Sequence, residues 1–317
     1  MLNLACVFPG QGSQSVGMLL ELAENFTEII DVFTQVSDRL GYDLWNLVQN
    51  GPQELLDTTE YTQVAVLAAD VAVFRVLRQH GIKMPQVMAG HSLGEYAALV
   101  CAQALSLSDA AILVSQRGKI MQEHVPIGVG SMAAIVGLTD DVVVKICLEA
   151  SVDNQEVTPA NFNAIGQIVI AGHTPAVVRA LVLAEAQAAY LAKIIAVSVP
   201  CHCALLHNAS AVFAEFLEQI SFKIPVTAVI SNVDLSVYKT PTQIKTLLTK
   251  QLYSPVRWVE TIQMIPKNYN IDLIIECGPG KVLAGLIKRI DKSISVLSIN
   301  DKISLIQAQS HIIKEEV

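Results

Sequence analysis

The chain has 317 residues, 52% of them hydrophobic and only 16% charged, with a net charge of −8. That length accommodates about two compact units of roughly 100–200 residues. The composition excludes a disordered protein, which needs low hydrophobicity and high net charge, and the acidic balance disfavours general binding to nucleic acid or an anionic membrane. With aromatics at only 5%, the core is expected to be aliphatic.

The N-terminus, Met1-Leu-Asn-Leu-Ala-Cys6, has no basic region and reads as a first strand rather than a signal peptide. Leu4 to Phe8 is that strand, stopped by Pro9-Gly-Gln-Gly12. Glu60 to His80 carries a long helical pattern closed by Gly81. Pro85 to Ala89 is a short apolar run that breaks at Gly90-His-Ser-Leu-Gly94 and gives way to helix through Ala104. Ser108 to His124 is a further helix, capped by Ser108 or Asp109. Late in the chain, Ile271 to Cys277 reads as a strand, Gly278-Pro-Gly280 as a break and Lys281 to Ile290 as a helix. Alternating strands and helices imply α/β architecture with a mostly parallel sheet covered on both faces.

The middle differs. Ser131 to Val136 reads as a strand and Thr139 to Ala150 as a helix. Val157 to Phe162 and Gln167 to Ala171 flank a turn at Gly166. Thr174 and Pro175 open a long helix, as cap and first helical residue, and Ile194 to Val199 is a last strand. The order β-α-β-β-α-β is that of a ferredoxin-like unit. Residues 127–197 are therefore expected to form an inserted small subdomain, with 1–126 and 198–317 as the catalytic core. The longest uncharged stretch, Val157 to Val178, is too rich in Pro, Asn, Gln and Gly to cross a bilayer. Six scattered cysteines suit reduced thiols in a cytoplasm better than a disulfide framework.

Gly90-His91-Ser92-Leu93-Gly94 fits G-x-S-x-G between a predicted strand and a predicted helix. The sharp turn there would lift the Ser92 oxygen to the mouth of the sheet, and the following helix would aim N–H groups at developing negative charge. The alternative is a glycine-rich loop with an ordinary serine. For a base, hydrolases of this elbow type use a His near the C-terminus, and this chain offers only His311 in its tail. His91 adjoins Ser92, and neighbours across a tight turn point apart. His202, directly after a predicted strand, competes as base against the reading of a satisfied or exposed loop histidine. Cys201-His-Cys203 lacks a second Cys/His pair, which argues against a closed zinc site. Placed on a helix, Arg117 falls amid Ala110, Leu113, Val114, Ile120 and Met121. An inward guanidinium must find an anion, either an internal carboxylate or an anionic substrate group. Gly10-Gln-Gly12 is no phosphate loop, because Ser15 and Met18 stand where Gly and Lys are required.

The ordered set of Phe8-Pro-Gly-Gln-Gly-Ser-Gln14, Gly90-His-Ser-Leu-Gly-Glu-Tyr96, Gln116-Arg-Gly-Lys119, Ala160-Asn-Phe-Asn163, Val197-Ser-Val-Pro-Cys-His202, Ser231-Asn-Val233, Gln251-Leu-Tyr-Ser-Pro255 and Glu276-Cys-Gly-Pro-Gly-Lys281 resembles the malonyl-CoA:acyl carrier protein transacylases of bacterial fatty-acid synthesis. The similarity runs over almost the full chain. It implies an α/β-hydrolase-like core with a ferredoxin-like insertion. It further implies Ser92 as the acylated nucleophile and His202 as its base. Gln11 and Leu93 would supply backbone N–H groups to the oxyanion, and Arg117 would grip the malonyl carboxylate. The backbone carbonyl of Gln251 would orient His202, the task of the Asp in a triad. The expected reaction is ping-pong transfer of malonyl from malonyl-CoA to the phosphopantetheine thiol of acyl carrier protein, with no metal or bound cofactor. A polyketide acyltransferase is the near alternative, and a serine thioesterase or esterase the more distant one. Carrier proteins being acidic, Lys281, Lys288 and Arg289 are candidates for a docking patch, against the plainer reading of a solvated helix face.

Overall fold

The computed structural model describes residues 2–316, and the side chains of residues 2–310. The first part runs β1 (Leu4–Phe8), α1 (Leu20–Asn25), α2 (Thr27–Leu40), α3 (Leu44–Asn50), α4 (Gln53–Leu56), α5 (Thr59–Gln79), β2 (Val87–Gly90), α6 (Gly94–Cys101) and α7 (Leu107–His124). The middle is β3 (Gly130–Val136), α8 (Asp140–Ala150), β4 (Val157–Ala164), β5 (Gln167–His173), α9 (Thr174–Ala186) and β6 (Leu191–Ile195). The last part is α10 (His207–Gln219), β7 (Ala228–Ile230), α11 (Pro241–Gln251), α12 (Trp258–Tyr269), β8 (Leu273–Cys277), α13 (Val282–Ile290), β9 (Val296–Ile299) and α14 (Lys302–Glu316).

The architecture is mixed α/β with two separate sheets. A five-stranded parallel sheet has the order β7-β2-β1-β8-β9, and a four-stranded antiparallel sheet the order β4-β5-β3-β6. Strand β1 is buried throughout because helices cover both faces of the parallel sheet. Its side chains alternate. Leu4, Cys6 and Phe8 join the large cluster built with α2, α5, α6 and α7, while Ala5 and Val7 face Trp258, Ile262 and Ile287 of α12 and α13. Strand β4 stitches the two sheets' halves together: the Phe162 N–H donates to the Val256 carbonyl at 3.0 Å and the Val256 N–H to the Ala160 carbonyl at 2.9 Å.

Three local expectations shift. Helix α7 is capped by Ser106, whose hydroxyl accepts from the Asp109 N–H at 3.0 Å, because Leu107 already packs into the core as the first helical residue. Thr174 is the first residue of α9, with His173 as its cap, and the Thr174 hydroxyl turns away to donate to the Gly128 carbonyl. The last strand of the middle segment spans Leu191–Ile195 rather than Ile194–Val199, since pairing with β3 ends at Met132 and the chain then leaves the sheet toward α5, where the Ser198 hydroxyl meets that of Thr59 at 2.6 Å. No helix among the described residues is long and apolar enough to cross a membrane.

Candidate active site

Strand β2 ends in the G-x-S-x-G turn and α6 begins at its last glycine. The packing there is tight enough to specify both glycines. A Cβ on Gly90 would lie 1.9 Å from the Gly94 carbonyl carbon, and one on Gly94 would lie 2.0 Å from the Phe8 carbonyl oxygen. Ser92 sits between them at φ 52°, a left-handed conformation that L-residues avoid. Its backbone N–H donates to Asn232 Oδ1 at 2.7 Å, which pins the turn.

The Ser92 hydroxyl meets His202 Nε2 at 2.7 Å, across 110 residues of sequence. His202 Nδ1 lies 2.8 Å from the Gln251 carbonyl and 3.1 Å from that of Ser254. Both partners are acceptors, so Nδ1 carries the proton and Nε2 presents its lone pair to the serine. This is no exposed loop histidine. It is 2% exposed, and burial with the nearby Arg117 charge lowers its pKa to about 3. The imidazole is therefore neutral, as a base must be, at every ordinary pH.

Arg117 is buried on α7, as its helical position implies. Its partners are carboxamides rather than an acid: Nη1 donates to Gln63 Oε1 at 2.9 Å and Nη2 to Gln251 Oε1 at 3.0 Å. Nη2 also lies 3.4 Å from the Ser92 hydroxyl, and Nε is buried with no partner. Nη2 is thus the nitrogen that stands beside the serine, and Nε–H is the donor left without an acceptor. A carboxylate is the group that fits two such N–H donors.

These groups line a cavity of about 180 Å³. Gln11, Ser92, Leu93, Arg117 and His202 form one wall, and Met132, Asn161, Val169 and Ile195 of the antiparallel sheet form the other. A cleft of about 530 Å³ between residues 11–14 and 195–198 shares Gln11, Ile195 and Val197 with it, giving a route from solvent. A larger groove of about 640 Å³ beside Tyr42 and Trp45 contains neither Ser92 nor His202.

Gln11, Ser92, Leu93, Arg117 and His202 line this cavity, and Gln251 touches both His202 and Arg117. His91 is held apart from the serine, its Nε2 on Asn163 Oδ1 at 2.7 Å and its ring edge-on to Trp258. Cys201 lines the cavity, while Cys203 is buried behind it. His311 falls outside the described side chains. All three candidates of the docking patch are exposed, and of these Lys288 donates to the Ile294 carbonyl and Arg289 to Gln167 Oε1. Sequence reasoning missed Gln63, Asn163, Asn232 and the side chain of Gln251. Gln63 had a signal: it stands directly before the apolar run Val64 to Ala69 in α5. Asn163 and Asn232 fall within two motifs of the family resemblance, but the partners that give them a role lie 72 and 140 residues away.

A family model for the acyl transferase domain matches residues 5–304. A malonyl CoA-acyl carrier protein transacylase of Haemophilus influenzae is 49% identical over 302 residues, covering 95% of this chain and 96% of that one. The solved structure of the malonyl CoA-acyl carrier protein transacylase of Coxiella burnetii superposes with a TM-score of 0.95 at 49% identity, covering 97% of this chain and 96% of that one. A malonyl-transacylase solved in complex with its type II PKS acyl-carrier protein gives 0.95 at 48%, covering 98% and 99%. The chain belongs to the acyl transferase family, among the malonyl CoA-acyl carrier protein transacylases.

Proposed function

We propose that the protein transfers the malonyl group from malonyl-CoA to the phosphopantetheine thiol of acyl carrier protein through a malonyl-Ser92 intermediate, supplying fatty-acid elongation. The observation that carries this is a serine hydroxyl 2.7 Å from a neutral histidine and 3.4 Å from a buried arginine with a vacant edge. Ser92 Oγ attacks the thioester carbonyl and His202 Nε2 takes its proton. The tetrahedral oxyanion is received by the backbone N–H groups of Gln11 and Leu93. Collapse expels the CoA thiolate, which leaves with the proton from His202. The carrier thiol then attacks the malonyl ester carbonyl as His202 takes its proton, and collapse breaks the Ser92 Oγ–C bond and returns that proton to Ser92, leaving malonyl on the carrier sulfur. The Gln251 carbonyl keeps the imidazole in the required tautomer throughout. Arg117 receives the far carboxylate on Nε–H and on the Nη2–H that otherwise points to Ser92 at 3.4 Å, which selects a dicarboxylic acyl group over acetyl.

The same proposal reads the parallel-sheet half, 1–126 and 198–317, as an α/β-hydrolase-like core, supported by the elbow at the end of β2. It reads 127–197 as a ferredoxin-like subdomain, supported by the element order β3-α8-β4-β5-α9-β6. A cytoplasmic location is supported by six free thiols. Intact-mass spectrometry after incubation with malonyl-CoA alone tests the chemistry. One malonyl adduct is expected on Ser92 and none on Ser92→Ala, and a label on Cys201 or Cys203 overturns the assignment. A second reading, supply of a polyketide pathway, draws on the likeness to the transacylase solved with a type II PKS carrier. Relative rates with carrier proteins of the two kinds separate them.

A further inference from the structure

One buried acid has no part in the scheme above. Glu95 stands in the first turn of α6, three residues after Ser92, and is fully buried. Its oxygens meet donors. The Tyr238 hydroxyl donates to Oε1. Gln251 Nε2 donates to Oε2 at 2.6 Å, and the Asn232 backbone N–H donates to the same oxygen at 3.3 Å. The far ends of those two residues reach the reacting centre. Gln251 Nε2 also donates to the Ser92 carbonyl at 3.0 Å, its Oε1 accepts from Arg117, and its backbone carbonyl accepts from His202. Asn232 accepts the Ser92 N–H and donates from Nδ2 to the Gly90 carbonyl at 2.7 Å.

We propose that Glu95 is a positioning residue for acyl transfer: it fixes Gln251 and Asn232, holds Arg117 toward the cavity without pairing with it, and supplies its counter-charge from one carboxamide away. The proposal rests on the roles given above to Ser92, His202 and Arg117.

The reasoning is geometric. A carboxamide can present O or NH₂ with nearly the same shape. An ionised acid at position 95 only accepts, so Gln251 must turn its NH₂ to Glu95 and its oxygen to Arg117. A buried guanidinium also needs a negative charge nearby. Among the described residues no carboxylate stands within ion-pair distance of Arg117. A direct partner would have to be displaced before a substrate carboxylate could bind. Charge held behind Gln251 compensates the arginine and leaves its edge open.

The arrangement has a pH signature. Burial pushes Glu95 up to about 7, against the pull of Tyr238, Gln251, Asn232 and Arg117. The other groups facing it do not change charge near neutrality. Tyr238 and Tyr96 are raised further by burial, His202 stays neutral, and Arg117 stays charged. As pH rises, Glu95 ionises and opposes the malonyl carboxylate. The KM for malonyl-CoA in the acylation half-reaction is therefore expected to rise on the order of tenfold between pH 6 and 8, measured relative to acetyl-CoA. Acetyl-CoA lacks the acyl carboxylate but shares the titration of the CoA phosphates.

Glu95→Gln tests this, because glutamine can still accept from Gln251 and Asn232 and can donate to the Tyr238 oxygen. The relative rise should vanish in Glu95→Gln, and its persistence at wild-type size overturns the counter-charge. Glu95→Leu removes the acceptor as well. It should cut kcat for both acyl groups by about 100-fold, the scale of a small misplacement of reacting groups, with Glu95→Gln recovering at least tenfold. Wild-type kcat in Glu95→Leu overturns the positioning role. If Glu95→Leu does not fold, the Glu95→Gln profile decides. Absence of a malonyl-Ser92 adduct in the wild-type protein overturns the underlying reading instead, whatever Glu95 does.

Discussion

His202 and Ser92 meet from backbone conformations that residues with a Cβ seldom adopt, at φ 60° and 52°. Such conformations cost about 1–3 kcal/mol each and persist only where the surroundings fix them. The Leu252 carbonyl holds the His202 N–H at 2.9 Å and Asn232 holds that of Ser92. The cost returns as a 2.7 Å hydroxyl–imidazole contact made before any substrate arrives. Arg117 is prepared in the same way, with two carboxamides on one side and an unused N–H on the other. Breaking a buried ion pair costs about 3–5 kcal/mol, a hundredfold to a few thousandfold in rate. Arg117→Ala should therefore lower kcat/KM for malonyl-CoA by that factor and for acetyl-CoA far less. Arg117→Lys should restore only part, since an ammonium lacks the two-pronged fork. Steady-state kinetics with both substrates decides. Equal losses would mean that Arg117 supports structure and does not read the carboxylate.

At the scale of an element, the strand–turn–helix of β2 and α6 works only because two positions carry no side chain. Gly94 backs onto the Phe8 carbonyl of the neighbouring strand, so β1 and the elbow are in backbone contact. Nothing flexible lies there to give way. Gly94→Ala should destabilise the protein by more than about 3 kcal/mol or abolish folding, through overpacking against rigid backbone. Gly285 in α13 is the control. An added Cβ there meets nothing within 4 Å. Gly285→Ala should stabilise by about 0.5–1 kcal/mol on helix propensity alone. Urea denaturation of both variants measures this. Similar midpoints for Gly94→Ala and the wild type would refute the packing argument at the elbow.

Across the whole molecule, the cavity exists only where the two sheets face each other, one bringing Ser92 and the other the apolar residues that close over it. The centre of the larger half also holds an acid with no evident task. Asp70 on α5 is fully buried, neither of its oxygens has a hydrogen-bond partner, and Oδ1 would lie 2.2 Å from a Cβ on Gly278. Burial, and secondarily the Glu276 charge, raises its pKa well above the usual carboxylate value. With the folded pKa above the unfolded one, the native state binds the extra proton. Stability from this group is complete below about pH 3.9 and is lost as pH rises toward the folded pKa, by about 1.4 kcal/mol per unit. Asp70→Asn stays neutral and escapes that loss. Its advantage in urea midpoint over the wild type should grow between pH 5 and pH 8. An advantage that does not change with pH would show that Asp70 carries no such linkage.

The sequence by itself determined the elements and the identity of the family. Apolar runs of five residues ended by glycine become parallel strands, and the stripe through Arg117 turns that arginine inward, because both patterns depend on neighbours a few residues apart. Ordered motifs along the chain singled out Ser92, His202 and Arg117 before any distance between them was known. The tertiary structure alone decided what surrounds them. Whether the buried arginine had an internal acid was open in the sequence, and its partners prove to be Gln63 and Gln251, 54 and 134 residues away. Asn232 meets Ser92 across 140 residues and Glu95 across 137, contacts that no local period encodes. Even Ser115, a polar residue of α7, is buried, because helices pack around more of α7 than one face. Local chemistry specifies which segments fold, whereas the direction of a polar side chain in a dry interior is set by whichever donor or acceptor the packing delivers to it.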